Sequence, residues 1–198
     1  MIDARATHGM IAVDKMGGQV LFLNPTTFAT EVTIGGFPRT VHELLVMPEA
    51  GLAYVPIYGD GIHGKNPNPG HVIALIDLKN RAHVGDIDLK PYVSPHTLKL
   101  ASDGLIYVTC ENSAMVAVID PATNKMVDAI ASGSTNAHRL IISSDGQRLY
   151  TENEEDAEGG LSQGKGRTDG QPLAQVVQTN AQRDLVGQRQ RGSLVGAC

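Results

Sequence analysis

Between His96 and Ile130 the chain alternates apolar and polar positions with the two-residue period of a β-strand, and turn signals cut the alternation into short lengths. His96-Thr97-Leu98-Lys99-Leu100 places Leu98 and Leu100 on one face. Ser102-Asp103-Gly104 is a hairpin turn signal, and Ile106 to Thr109 is β-branched and aromatic, the composition that suits a pleated, half-buried surface. Met115 to Ile119 reads as a third strand. Asp120-Pro121 suits a type I turn, with the acid at its first position and proline at its second. Lys125 to Ile130 is a fourth, more polar strand, ended before Gly133. No segment holds a helical period over about ten residues, so helical repeats are excluded.

The same phrase is written three times: HELLVMPEAGLAYVPIY from His42, HTLKLASDGLIYVTCEN from His96 and HRLIISSDGQRLYTENE from His138. The spacing is 54 and then 42 residues, and the 12-residue excess falls within Gly59 to His71, which is rich in Gly, Pro and Asn. A second landmark keeps the register: VLFLNP ends at Pro25, VIALIDL at Leu78 and VAVIDP at Pro121. From Asn24 to His42, Asp77 to His96 and Asp120 to His138 the gap is 18 or 19 residues. A unit of about 42 residues carrying four short strands is the period of a propeller blade.

The phrase His-x-Leu-x-Leu with Asp-Gly, then Tyr-Val-Thr and Val-x-Val-Ile-Asp, resembles the YVTN β-propeller repeat of the YncE-like group. Tyr107-Val108-Thr109-Cys110 and Tyr150-Thr151-Glu152-Asn153 carry the likeness, Tyr54-Val55-Pro56-Ile57 more loosely, and no copy spells the motif in full. The resemblance covers about residues 10–157. It implies an all-β, partial propeller of three to three and a half four-stranded antiparallel blades, out of about seven in a closed ring. The chain opens mid-blade at Met10 to Val13, and the register ends after Asp156. Residues 158–198 form a Gly-, Gln- and Arg-rich tail with three acids and five basic residues, read as a disordered or frame-shifted segment in which VVQTNAQRDLV gives at most a weak helix. An incomplete ring leaves strand edges unpaired, so self-association is expected.

Composition narrows the partners. Net charge is −5 over 198 residues, which argues against nucleic acid, and no apolar run approaches the roughly 18 residues of a membrane helix. MIDARATHGMIAVD lacks a basic region followed by an apolar core, so no secretory signal is expected, although similar proteins are often periplasmic or secreted; the compartment stays open. The two cysteines, Cys110 and Cys198, form no metal spacing and no CxxCH haem motif, and Cys110 reads as a buried apolar group. Gly17-Gly18 and Gly35-Gly36 are turn glycines, and GDGIHGKNPNPG lacks the alternating ligands of a calcium loop.

Candidate chemistry gathers where each repeat begins. Hairpin geometry around Asp103-Gly104 sets His96 opposite Glu111, and around Asp145-Gly146 it sets His138 near Glu152. In the first copy His42 stands near Tyr58 and Asp60. These seven residues are expected on one rim, as a site for a small molecule, a protein or peptide partner, or a divalent metal held by imidazoles and carboxylates. Because the histidine recurs with the repeat, its favoured role is to hydrogen-bond a loop and pin its blade. His63, His71 and His83 fit no ligand spacing and read as solvated, as does the acidic run Glu152 to Asp156. Sequence fixes no reaction. The expectation is a binding scaffold; the alternatives are a metal-dependent lactonase or gluconolactonase-like hydrolase and a redox accessory propeller.

Overall fold

The computed structural model describes residues 9–37, 40–60, 66–133, 136–146 and 148–152, together with the backbone of 176–179. The first sheet is a meander of β1 (Met10–Asp14), β2 (Gln19–Leu23) and β3 (Thr30–Ile34). The second holds β4 (Leu45–Met47), β5 (Leu52–Gly59), β6 (Pro69–Asp77) and β7 (Ala82–Asp88), and the third β8 (Pro95–Leu100), β9 (Ile106–Cys110), β10 (Met115–Asp120) and β11 (Lys125–Ala131). The fourth holds β12 (Arg139–Ile142), β13 (Leu149–Glu152) and β14 (Val176–Thr179). Neighbours in the first three sheets are antiparallel. Among the described residues the only helical turns are short 3-10 turns at Pro48–Ala50 and Glu111–Ser113, and no helix is long and apolar enough to cross a membrane.

The second sequence landmark is an Asx turn. Asn24 Oδ1 accepts the amides of Thr26 and Thr27, Asp77 Oδ1 those of Lys79 and Asn80, and Asp120 Oδ1 that of Ala122. Each closes the last hairpin of its sheet, between β2 and β3, β6 and β7, and β10 and β11. β1 to β3 therefore stand where the second to fourth strands stand in the next two sheets.

The sheets stack face to face, and the middle strands are apolar on both sides. On β5, Ala53, Val55 and Ile57 pack towards Val20 and Phe22 of the first sheet, while Tyr54 packs towards Leu98, Ile106 and Val108 of the third. On β9 and β10, Ile106, Val108, Ala117 and Ile119 face the second sheet, while Tyr107, Val116 and Val118 face Leu140 and Leu149 of the fourth. This two-sided burial explains why these strands read as nearly continuous apolar runs.

Polar links tie sheet to sheet. The Tyr54 hydroxyl donates to Asn124 Oδ1 at 2.6 Å. Thr109 does more: its Oγ1 accepts the Thr97 amide at 3.0 Å and donates to the His138 carbonyl at 2.8 Å. The first bond replaces a ladder bond that β8 loses where its register shifts between Pro95 and Leu98. Close approach also shapes β5: a Cβ at Gly70 would collide with the Ile57 carbonyl, so glycine lets β6 cross beside the irregularity between Ile57 and Gly59 that carries Tyr58.

The fourth sheet departs from the expected antiparallel meander. β14 pairs with β13 in parallel, in the stretch where the sequence suggested at most a weak helix. Parallel pairing needs a long connection, and residues 153–175 lie between the two strands. The rest of the tail lies outside the described residues, as does His63.

Thr109→Val should destabilise the protein by about 2 kcal/mol, because it leaves the buried Thr97 amide and His138 carbonyl without their partner. Tyr54→Phe, at a half-buried bond, should cost about 1 kcal/mol. Urea unfolding midpoints measure both; equal, negligible shifts would show that Thr109 does not couple the sheets.

Candidate functional site

The three repeat histidines meet. His42 and His96 lie with ring centroids 3.8 Å apart, and His96 and His138 with centroids 4.2 Å apart. Tyr58 completes the group, 5.2 Å from His42 and edge-on to His96 at 5.7 Å. Their backbones hold them in place: the His42 amide donates to the Pro56 carbonyl and the His138 amide to the Glu152 carbonyl. His96 sits in the register shift of β8, which buries it together with Thr97. These backbone bonds tie His42 and His138 to the strands beside them, while the side chains of all three converge instead of dispersing to separate loops.

The other expected rim residues divide. Glu111 is buried beside the cluster; its Oε1 accepts from Asn136 Nδ2 at 3.0 Å, and its amide binds the Ser94 carbonyl. Glu152 is not its counterpart. On β13 it stands opposite Arg139 of β12 and is only half-buried. The physical reason is the hairpin: β8 and β9 close over 101–105, whereas β12 and β13 close over 143–148, one residue longer. Asp60 turns into the insertion, where it accepts from the amide and side chain of Asn68. His71 bonds Asp88 at 2.8 Å, and His83 bonds Asp86 and the Gly85 carbonyl, so both serve their own sheet edges.

Several residues of the site were not singled out in the sequence. Lys15, from the turn between β1 and β2, lies 5.3 Å over the Tyr58 ring. Burial lowers its pKa, and the charge of Glu111 pulls it back up. Asn66, from the insertion, donates to the Tyr58 carbonyl and to Ser94 Oγ. Glu43 stands 3.6 Å from His96 Nδ1. Each repeat histidine is followed by a different residue, Glu43, Thr97 or Arg139. All three line one open cleft of about 550 Å³, shared with Lys99, Tyr150 and Glu152. The acid after His42 was the available signal, since only that copy has one.

Burial and its neighbours keep His96 uncharged. Burial, then the imidazoles of His42 and His138, then the charges of Lys15 and Arg139, push His96 down to about 2. His96 Nδ1 also lies 3.1 Å from Thr97 Oγ1. Cys110, in the core between the second and third sheets, has its thiol pushed up by burial to about 12, as expected of an inert apolar group.

The stacked four-stranded antiparallel meanders, with their first strands brought together at one end of the site, are those of a β-propeller, of which this chain shows part. No family model and no curated sequence matches the chain. Among solved structures it is similar to hydrazine synthase of Kuenenia stuttgartiensis, with a TM-score of 0.57 and 19% identity over 71% of this chain and 37% of that one. It is also similar to the dihydro-heme d1 dehydrogenase NirN in complex with DHE, with a TM-score of 0.61 and 13% identity over 91% of this chain and 36% of that one. The chain thus spans just over a third of the length of each. At such identities the likeness is one of fold.

The unfolded imidazole of His96 takes a proton near pH 6.5, whereas the folded one does so only at about pH 2. The unfolded state therefore binds more protons between these values; stability is full above pH 6.5 and falls as the pH drops. In chelator-treated protein the fall should approach about 1.4 kcal/mol per pH unit for this one group. Unfolding midpoints between pH 7 and pH 5 test it: the slope should flatten in His96→Gln, and an identical slope in that variant would contradict the assignment.

Proposed function

We propose that this chain is a YVTN/YncE-like propeller-repeat scaffold that binds a small molecule or short peptide at the face where His42, His96 and His138 meet. One observation carries the reading. Side chains from separate repeats converge on a single point, with Tyr58, Lys15, Glu111 and Asn136 around it. Holding a sheet together does not require the rings to stack across sheet boundaries. The mixture of aromatic faces, a cation and acids beside a cleft suits a compact ligand with both polar and flat apolar parts.

No reaction is assigned. The two solved neighbours carry different names, one a synthase and one a dehydrogenase, so the shared fold points to no single chemistry. The hydrolase alternative would use the same rim. It is separated from a plain scaffold by a lactone-hydrolysis assay run with and without chelator.

Saturation-transfer NMR on the chelator-treated full chain, with a panel of lactones, small carboxylates and short peptides, tests the reading. Binders should weaken about tenfold in Tyr58→Phe and in His138→Gln, the loss expected for one hydrogen bond in a desolvated site. A panel without binders, or binders indifferent to both variants, would refute it.

A further inference from the structure

Glu43 changes what the histidine cluster can hold. His42, Glu43 and His96 each offer one ligand atom, and these atoms lie within 4.8 Å of one another. Within that group His96 Nδ1 and Glu43 Oε1 are 3.6 Å apart. Donors around a tetrahedral ion with bonds of about 2.0–2.1 Å lie about 3.3 Å apart. One pair is thus nearly at the required separation. Closure on one ion asks for rotation of the half-buried Glu43 and His42 side chains, whereas His96 is buried in the register shift of β8.

We infer that His42, Glu43 and His96 form a binding site for one divalent transition-metal ion of the zinc or cobalt kind. The inference rests on the reading of this face as a binding face. Two imidazoles and one carboxylate are the donor set of borderline ions, whereas magnesium and calcium select oxygen ligands. Three protein donors leave at least one position for water or an exogenous ligand. Glu43 also lines the cleft, so that position adjoins the space a ligand would occupy. His42 and Glu43 precede the second sheet and His96 belongs to the third, so the ion would join two sheets.

The test uses the full chain, stripped with chelator, titrated with Zn²⁺ by calorimetry and with Co²⁺ by visible absorption. One ion per chain is expected, with cobalt bands of tetrahedral intensity and a thermal midpoint that rises with metal concentration. Glu43→Gln keeps the shape and removes the anionic donor; it should weaken binding at least tenfold and abolish the metal-dependent rise. His42→Ala should do the same. If His96→Gln fails to fold, the Glu43→Gln result stands on its own. Stoichiometry and affinity unchanged in a Glu43→Gln variant with native circular dichroism would overturn the site, as would no binding at micromolar metal. Ligands detected by NMR on the stripped protein would then still support the binding face without the ion, and their absence would sink the broader reading separately.

Discussion

Burial of both faces of the middle strands is the constraint on which everything else depends. Tyr54 and Val55, adjacent on β5, point into different cores, as do Tyr107 and Val108 on β9. A sheet of this kind cannot be satisfied by one partner. It demands a neighbour on each side, and stacking follows from the side-chain pattern before any loop is considered. The interfaces are almost wholly apolar, which leaves few places for polar groups.

Those groups collect at the mouths of the first strands. There the backbone is least regular: β8 shifts register at His96 and Thr97, and β5 is irregular at Tyr58. Thr109 repairs one of these breaks and reaches the next sheet in the same step. The result is a group of imidazoles held close by scaffolding, His96 among them kept neutral by burial, with the acid Glu111 bonded by Asn136. Such an arrangement costs stability at low pH and supplies lone pairs at neutral pH.

Much of this was legible in the sequence, for a physical reason. Repeats must place equivalent residues at equivalent points, so the spacing of His42, His96 and His138 already implied a shared rim, and the Asn24, Asp77 and Asp120 landmark located the turns. What spacing could not convey was which way a side chain turns at an irregularity. Glu111 and Glu152 looked equivalent until the extra residue in the last hairpin moved Glu152 to the cleft wall. Asp60 looked like a rim acid and instead ties down its own loop. Lys15 comes from a turn and Asn136 from the irregular stretch before β12, neither with a recurring signature, and β14 draws its partner from contact with β13 and not from local pattern.

The residues that follow the three histidines carry a separate meaning. The repeat sets the place of each imidazole, yet its successor is an acid in one repeat, a hydroxyl in the next and a guanidinium in the third, all opening on one hollow. Copying a unit and then altering one letter per copy converts a symmetric frame into a polarised one. Whatever entered would meet Glu43 and Arg139, opposite charges supplied by different copies, with Lys99 and Glu152 beside them.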